Sequence, residues 1–484
     1  MANYIIEKRE IRHKLLEQRQ HMTEEERISQ SSEIIEQLLD SAYYKNANLI
    51  FTFNSMPEEV NNQTLIEQAL ADGKRVALPV TFGKAKMEAL QIFADTDLER
   101  DKFGVLSPKP ESSKMINPEE IDLAIVPLLG YNLHGYRIGH GAGYYDRYLP
   151  RLSVKCTKIG IAFSDQKVDS LPVGVDDYPL DEILTPQGFL KLQTRVETHC
   201  HSAEFSLDCA RPFAELIAEA EKKNFKIITL TDHYDKDVID GRAYPGKTPV
   251  GAVPQKDEWI FALDQYVDFG QAEKAKLKER NSRTELLLGI ELGYQDYLAD
   301  GYKKVIPNYP FDLIIGSIHT MYCDDFAVNG TVLYSQGKQK AYDEYLKALI
   351  EMVESGLDFD VLGHFDYVIR YSGYPDPKMY YQDHAALFDH LFKAIIARGI
   401  SLEVNTRTRY RQIKSGEQDG GMTDLAIFAR YYELGGRMVT FATDAHAGGE
   451  LHCLISETIR ALKGIGFSQG TYFKARKPFY YDLL

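Results

Sequence analysis

The segment VETHCH (196–201) opens a series of apolar runs that each end on a metal-capable or charged residue. The series continues with IITLTDH (227–233), LLLGIEL (286–292), LIIGSIH (313–319), VLGHFD (361–366), LEVN (402–405) and MVTFATDAH (438–446). Continuous apolar runs separated by helical stretches predict strands of a parallel sheet buried on both faces. Ordered strand ends that carry chemistry are the pattern of a parallel α/β barrel, whose functional groups sit at the C-terminal ends of its strands.

Upstream, LIFTF (49–53), RVALPV (75–80), LAIVPLL (123–129) and KIGIAF (158–163) alternate with helical stretches, which predicts a separate α/β domain with a mainly parallel sheet. Ile11, Leu15 and Leu16 recur at helical spacing, and Thr23 with Glu26 forms a capping-box pattern for a second helix reaching about Leu39. Pro186 and Gly188 punctuate the end of this part. The expected organisation is a domain over 1–190 and a barrel over 195–484, joined by a short linker. The 484 residues alone suggest about three domains, but a barrel takes up about 250 residues by itself.

Composition narrows the function classes. A hydrophobic share of 44% and a charged share of 26% are those of a globular chain. A net charge of −15 repels phosphates, so neither general nucleic-acid binding nor anionic-membrane binding is expected. The charged N-terminus and the lack of a long apolar run point to a cytoplasmic protein without a signal peptide or membrane span. Five scattered cysteines with no CxxC suggest reduced, packed side chains without a redox role. The oligomeric state stays open.

The histidines carry the chemistry. Of 13, four precede residue 190 and nine follow it. His199 and His201 stand at i and i+2, so both rings project from one side of a strand toward one ion. Asp444 and His446 repeat that spacing, and Asp208, His233, Glu291, His319 and His364 lie between. Nitrogen and oxygen ligands without thiolates suit Zn, Mn or Fe, with Glu291 able to bridge two ions. Two or three clustered ions activate a water and clamp the oxygens of a phosphoester. Glu204 competes locally with Asp208, and Asp232 is expected to orient a ligand. Arg407, with Arg370 second, is the expected phosphate contact, because a guanidinium fork matches phosphate oxygens. His384, His390 and His452 fall in helical pattern and are expected to be ordinary histidines.

In the N-terminal half, YRIGHGAGYYDR (136–147) follows an apolar strand. Alternating Gly139, Gly141 and Gly143 let backbone N–H groups converge on an anion, with Arg137 adding charge. A tight turn explains the same glycines, and the loop is neither a Walker A nor a Rossmann fingerprint. Lys8 and Arg12 share one helix face, as an anion contact or as a solvated cationic stripe. Asp146 and Asp181 are candidate Mg2+ carboxylates.

The motifs THCHS, TDH, GIELG, GSIHT, GHFDYV, EVNTR and TDAH resemble the PHP (polymerase and histidinol phosphatase) family, in its histidinol-phosphatase branch, over essentially the whole second domain. The resemblance implies a distorted seven-stranded (β/α) barrel holding three ions. The first would take His199, His201, Glu291 and Asp444. The second would share Glu291 and add His319 and His364. The third would take Asp208, His233 and His446. Catalysis is expected to depend on Glu291, Asp444 and His446, acting on histidinol phosphate.

The KxxxR start, SMPEEV, FGVLSPKP and RIGHGAGYYDR resemble 5-formyltetrahydrofolate cyclo-ligase over residues 4–190. The resemblance implies that ATP contacts Lys8, Arg12, Arg137, Ile138, Gly139, His140, Gly141, Ala142, Gly143, Tyr144 and Tyr145, with Asp146 and Asp181 near Mg2+. Glu59 would contact the reduced folate, with Phe103 and Tyr144 as neighbours. In that family ATP phosphorylates the formyl oxygen of 5-formyltetrahydrofolate, and attack by N10 closes the ring to 5,10-methenyltetrahydrofolate. His140 and Ala142 depart from relatives, which often carry arginine and a second basic or small residue there. The expectation is a bifunctional enzyme. The alternative is an N-terminal folate- or nucleotide-binding regulatory module with a phosphoesterase for another phosphomonoester or a phosphodiester.

Overall fold

The computed structural model describes residues 2–484 apart from 84–85, 103, 112, 170, 175, 207, 236–260, 323, 328–329 and 417–420. The chain divides into two compact units, Met1–Gln193 with Leu484, and Thr194–Leu483.

The first unit is built on seven strands: Leu49–Phe51 (β1), Arg75–Phe82 (β2), Lys86–Ile92 (β3), Leu123–Val126 (β4), Thr157–Ile161 (β5), Glu182–Thr185 (β6) and Gly188–Phe189 (β7). Their order is β7-β6-β5-β4-β1-β2-β3. The five central strands are parallel, and β3 and β7 are antiparallel edges. The mainly parallel α/β sheet expected for this half is therefore present. Successive side chains of a strand face opposite ways. Accordingly Ile50 and Ile125 pack with Ile34, Leu38 and Leu65 on one face, whereas Phe51 and Val126 pack with Tyr148 and Leu149 on the other. The helix Glu24–Asp40 starts in the capping box read from sequence, with Glu26 N–H donating to Thr23 Oγ1 at 3.2 Å and Thr23 N–H to Glu26 Oε2 at 2.8 Å. The first helix, Ala2–His21, buries Leu15 against Leu129, Tyr136 and Ile138 but leaves Leu16 exposed.

The second unit is a parallel barrel. Val196–Cys200 (β8), Ile227–Leu230 (β9), Glu285–Gly293 (β11), Leu313–Ser317 (β12), Val361–Leu362 (β13), Ser401–Asn405 (β14) and Val439–Ala442 (β15) follow one another around it, and His233–Tyr234 (β10) pairs beside β11. Every ladder is parallel. The last strand returns to the first through the Cys200–Ala445 bridge, with His201 N–H donating to Ala445 O at 3.1 Å. The distortion is local: the β8–β9 register shifts between Glu197 and Cys200.

A C-terminal hairpin, Gln469–Lys474 (β16) and Lys477–Asp482 (β17), was not evident in the sequence pattern. Its turn residues Ala475 and Arg476 both have positive φ without being glycine, so the usual Asn-Gly signal is missing. The turn closes the N-terminal end of the barrel. Ala475 N–H donates to Asp312 Oδ1 at 3.0 Å, and Arg476 pairs with Asp360 at 2.5 Å. Among the described residues no helix is long and apolar enough to cross a membrane.

Candidate metal centre and glycine loop

His199, His201, His233, His319, His364 and His446 are all buried, and they converge at the C-terminal ends of the barrel strands. Glu291, near the end of the longest strand, lies among them and divides its oxygens. Oε2 lies 3.2 Å from His199 Nε2, 3.7 Å from His201 Nε2 and 2.7 Å from His233 Nδ1. Oε1 lies 3.2 Å from His319 Nε2 and 2.8 Å from His364 Nε2. Asp444 Oδ1 meets His201 Nε2 at 3.2 Å and His446 Nδ1 at 3.4 Å. Asp208 Oδ2 is 2.9 Å from His446 Nε2 and 3.6 Å from His233 Nε2. Its rival Glu204 is turned away, accepting the Phe213 N–H at a helix start. The nine side chains singled out from sequence as ligands thus stand together.

The donor set suits divalent ions. Within 4.8 Å of one another lie ligand atoms of His201, His233 and His446, of His199, His201 and Asp444, and of His199, Glu291 and His364. Burial opposes charge on His199, His233 and His319, but surrounding carboxylates outweigh it and hold all three well above the ordinary histidine value. His201 is driven well below that value by burial and by the rings of His446 and His233. Despite burial, Glu291 and Asp444 stay well below the usual carboxylate range, held there by histidines and, for Asp444, by Arg407. A cage that keeps both carboxylate charge and histidine protons is one in which metal ions can replace those protons.

A second layer orients the rings. His199 Nδ1 faces Glu403 at 2.9 Å, His201 Nδ1 faces Ser206 Oγ at 3.2 Å, His319 Nδ1 faces Asp235 at 3.0 Å, and His446 Nδ1 faces the Asp444 carbonyl at 2.8 Å. An acceptor on Nδ1 fixes the tautomer that leaves Nε2 free to ligate. Asp232 accepts from Ser202 and Ser206, so it supports His201 through the serine. Burial pushes Asp232 up to about 7 against those hydrogen bonds. Glu197, accepting the Thr443 and His199 N–H groups, is likewise pushed by burial up to about 7. Sequence reasoning missed Glu403, Asp235 and Glu197. Glu197 stands two residues before His199 on the same strand, so the i, i+2 rule reaches it, whereas Asp235 follows the short strand His233–Tyr234 and Glu403 lies inside Ser401–Asn405.

Both predicted arginines reach this cluster. Arg370 NH2 lies 3.2 Å from Asp444 Oδ2, its Nε donates to Thr408 Oγ1 at 3.0 Å, and its guanidinium stacks 4.7 Å from the Tyr367 ring centre. Arg407 NH1 donates to the Asp444 carbonyl at 2.5 Å and pairs with Glu450 at 3.3 Å. Asp444 itself adopts φ +51°, a conformation uncommon outside glycine. His384 and His390 pair with Asp343 and Glu354, away from the cluster as expected.

The glycine loop is organised differently. Gly141 and Gly143 take φ +100° and +66°, which the alternating glycines permit. Arg12 Nε donates to Gly139 O at 2.9 Å, with its guanidinium against Gly141. Lys8 is buried and pairs with Asp177, which removes the solvated-stripe reading of this helix face. Arg137 is buried as well, pairing with Asp146 at 3.1 Å and lying 5.7 Å from the Tyr145 ring centre. Ile138 is core. Tyr144 OH donates to Gly83 O at 3.2 Å. His140 is half exposed with Nε2 3.8 Å from Glu59, and Glu59 accepts the Met56 N–H at 3.0 Å. Ala142 O accepts from Arg147 NH2 at 2.8 Å. Asp181 is buried, with Oδ2 2.8 Å from Lys158 Nζ and accepting the Lys158 N–H, which ties the start of β6 to β5. Phe103 lies outside the described residues.

Comparisons with known proteins follow the same division. The 5-formyltetrahydrofolate cyclo-ligase family model matches residues 5–186, and the PHP domain model matches residues 197–407. A probable histidinol-phosphatase of Clostridium acetobutylicum is 31% identical over 250 residues, which are 52% of this chain and 86% of that protein. A 5-formyltetrahydrofolate cyclo-ligase of Haemophilus influenzae is 32% identical over 179 residues, 36% of this chain and 92% of that protein. Among solved structures, the histidinol phosphate phosphatase of Lactococcus lactis, complexed with zinc, L-histidinol and phosphate, covers 59% of this chain and 99% of its own at 23% identity and a TM-score of 0.50. At that identity the likeness is one of fold.

Proposed function

The chain belongs to the 5-formyltetrahydrofolate cyclo-ligase family in its first unit and to the PHP-domain histidinol-phosphatases in its second, and from that we propose a bifunctional enzyme. One reaction is hydrolysis of L-histidinol phosphate to histidinol and phosphate. The other is ATP- and Mg2+-dependent closure of 5-formyltetrahydrofolate to 5,10-methenyltetrahydrofolate.

The observation that carries the phosphatase reading is the division of Glu291, with one oxygen toward His199, His201 and His233 and the other toward His319 and His364. A carboxylate so placed would offer one oxygen to each group of histidines. His199, His201, Glu291 and Asp444 would hold the first, Glu291, His319 and His364 the second, and Asp208, His233 and His446 the third. Bound zinc, manganese or iron would make water acidic enough to attack and would neutralise charge on the phosphoryl oxygens. The chain's own residues do the rest. Arg370 and Arg407 present planar donors matched to phosphate oxygens beside Asp444. Asp444 turns Oδ1 to the histidines and Oδ2 to Arg370, so it couples the position of the phosphate to that of the ligands. Hydrolysis would depend on Glu291, Asp444 and His446.

In the first unit, Arg12 steadies the loop through Gly139 while Lys8 and Arg137 supply cationic charge near ATP. Asp146 remains the candidate beside Mg2+, already engaged with Arg137. Glu59, beside His140, would meet the folate.

Two assays on the full chain test the reading. A zinc-selective chelator is expected to stop phosphate release from histidinol phosphate and to leave ATP-dependent methenyl absorbance unchanged. Faster turnover of other phosphoesters than of histidinol phosphate would overturn the substrate. ATP binding without folate turnover would make the first unit a regulatory module.

A further inference from the structure

We infer that Asp235 is a positioning residue that sets the tautomer of His319 for metal binding, in a slot that exists because residue 293 is glycine. The inference rests on the phosphatase reading above.

The register of the barrel places the pair. Parallel pairing sets His233 opposite Glu291 and Tyr234 opposite Leu292, which brings Asp235 alongside Gly293. The Tyr302 hydroxyl lies 3.1 Å from Tyr234 O and 2.8 Å from Gly293 O, fastening the two chains where they meet. A Cβ on Gly293 would overlap the Asp235 carboxylate, so any larger residue expels it. In this slot Asp235 Oδ2 lies 3.0 Å from His319 Nδ1, whereas His319 Nε2 faces Glu291 and His364. With Nδ1–H donated to Asp235, the Nε2 lone pair points into the cluster. Packing alone does not explain an aspartate here. Its other oxygen, Oδ1, is buried without a hydrogen-bond partner among the described residues, an arrangement that costs stability.

The test is zinc affinity of the full chain, measured by competition with a chromophoric chelator, for wild type, Asp235→Ala, Asp235→Asn and Gly293→Ala. Mutation of such outer partners typically weakens metal binding about 10- to 100-fold, and Asp235→Ala is expected to fall in that range. Asp235→Asn keeps an acceptor for Nδ1–H and is expected to recover most of the loss. Gly293→Ala is expected to reproduce the loss with Asp235 still present. Wild-type affinity in Asp235→Ala would overturn the inference. So would equal losses in Asn and Ala, which would make the carboxylate a direct ligand. Should either Asp235 variant fail to fold, unchanged affinity in Gly293→Ala would still overturn it. A wild-type chain that takes up no zinc would instead overturn the phosphatase reading itself.

Discussion

The barrel mouth and the glycine loop are built by opposite means. At the barrel mouth the functional atoms are side chains, six buried histidines and two buried carboxylates locked by a second layer of acceptors. At the glycine loop the backbone is shaped by left-handed glycines and held from behind by Arg12, and the outer residue His140 is half exposed. Buried charge in a side-chain cage is strongly coupled, so one substitution there propagates widely. A backbone cradle spreads its function over groups that no side-chain substitution removes. The two regions should therefore differ in how steeply they respond to mutation.

The largest effect is expected at Glu291. Replacement by glutamine keeps the shape and removes the charge that five imidazoles face, and phosphatase turnover should drop by about a thousandfold or more. Methenyl formation by the same preparation should not change. Retained phosphate release in Glu291→Gln would break the contrast between cage and cradle.

Next in size is a stability effect. Asp181 and Lys158 form a buried pair, and removing one partner of such a pair costs about 3 kcal/mol or more. Asp181→Asn should lower the denaturant midpoint of the first unit while leaving the Mg2+ concentration needed for half-maximal methenyl formation unaltered. A shifted Mg2+ requirement without loss of stability would return Asp181 to the metal.

Proton linkage sharpens the contrast further. His199, His233 and His319 have folded-state values raised above the ordinary one. Their contribution to the metal-free fold is complete below about pH 6.5 and is lost as pH rises through the raised values. Glu291 and Asp444 are depressed, so their contribution is present above about pH 4.5 and fades in acid. Zinc must displace the histidine protons, so its thermal stabilisation of the protein should grow from pH 6 to pH 8. Calorimetry in buffers of different ionisation enthalpy should record proton release on zinc uptake. Stabilisation that is flat with pH would mean the rings are neutral before metal arrives.

The barrel and the side chains gathered at its mouth were legible because strand periodicity and ligand spacing are the same signal: a side chain that points inward at the end of an apolar run is a candidate ligand. Glu403 and Asp235 were missed because their partners are set by tertiary structure: barrel closure brings His199 to Glu403, and the ladder from β10 through β11 to β12 brings His319 to Asp235. The loop was legible chiefly through resemblance, since alternating glycines also describe an ordinary turn. Lys8 and Asp181 show the remaining difficulty. Spacing placed Lys8 on a helix face, and Asp181 was read only as a candidate Mg2+ carboxylate, yet their partners Asp177 and Lys158 are set by tertiary packing. The C-terminal hairpin escaped notice because its turn uses alanine and arginine at positive φ.

The smallest expected effect tests the cradle itself. His140 stands inside the glycine loop, and its imidazole lies near Glu59 with half its surface in water. If the cradle binds ATP mainly through backbone N–H groups, a permanent charge at this exposed point adds little, because water and salt screen it. His140→Arg should then lower the KM for ATP by roughly two- to fivefold at low salt, an advantage that shrinks at high salt. The same guanidinium would pair with Glu59, so the KM for the folate should move as well, in the opposite sense. A gain in ATP affinity of a hundredfold would show that side-chain charge, not the glycine backbone, governs this loop, and the distinction between the two regions would fall.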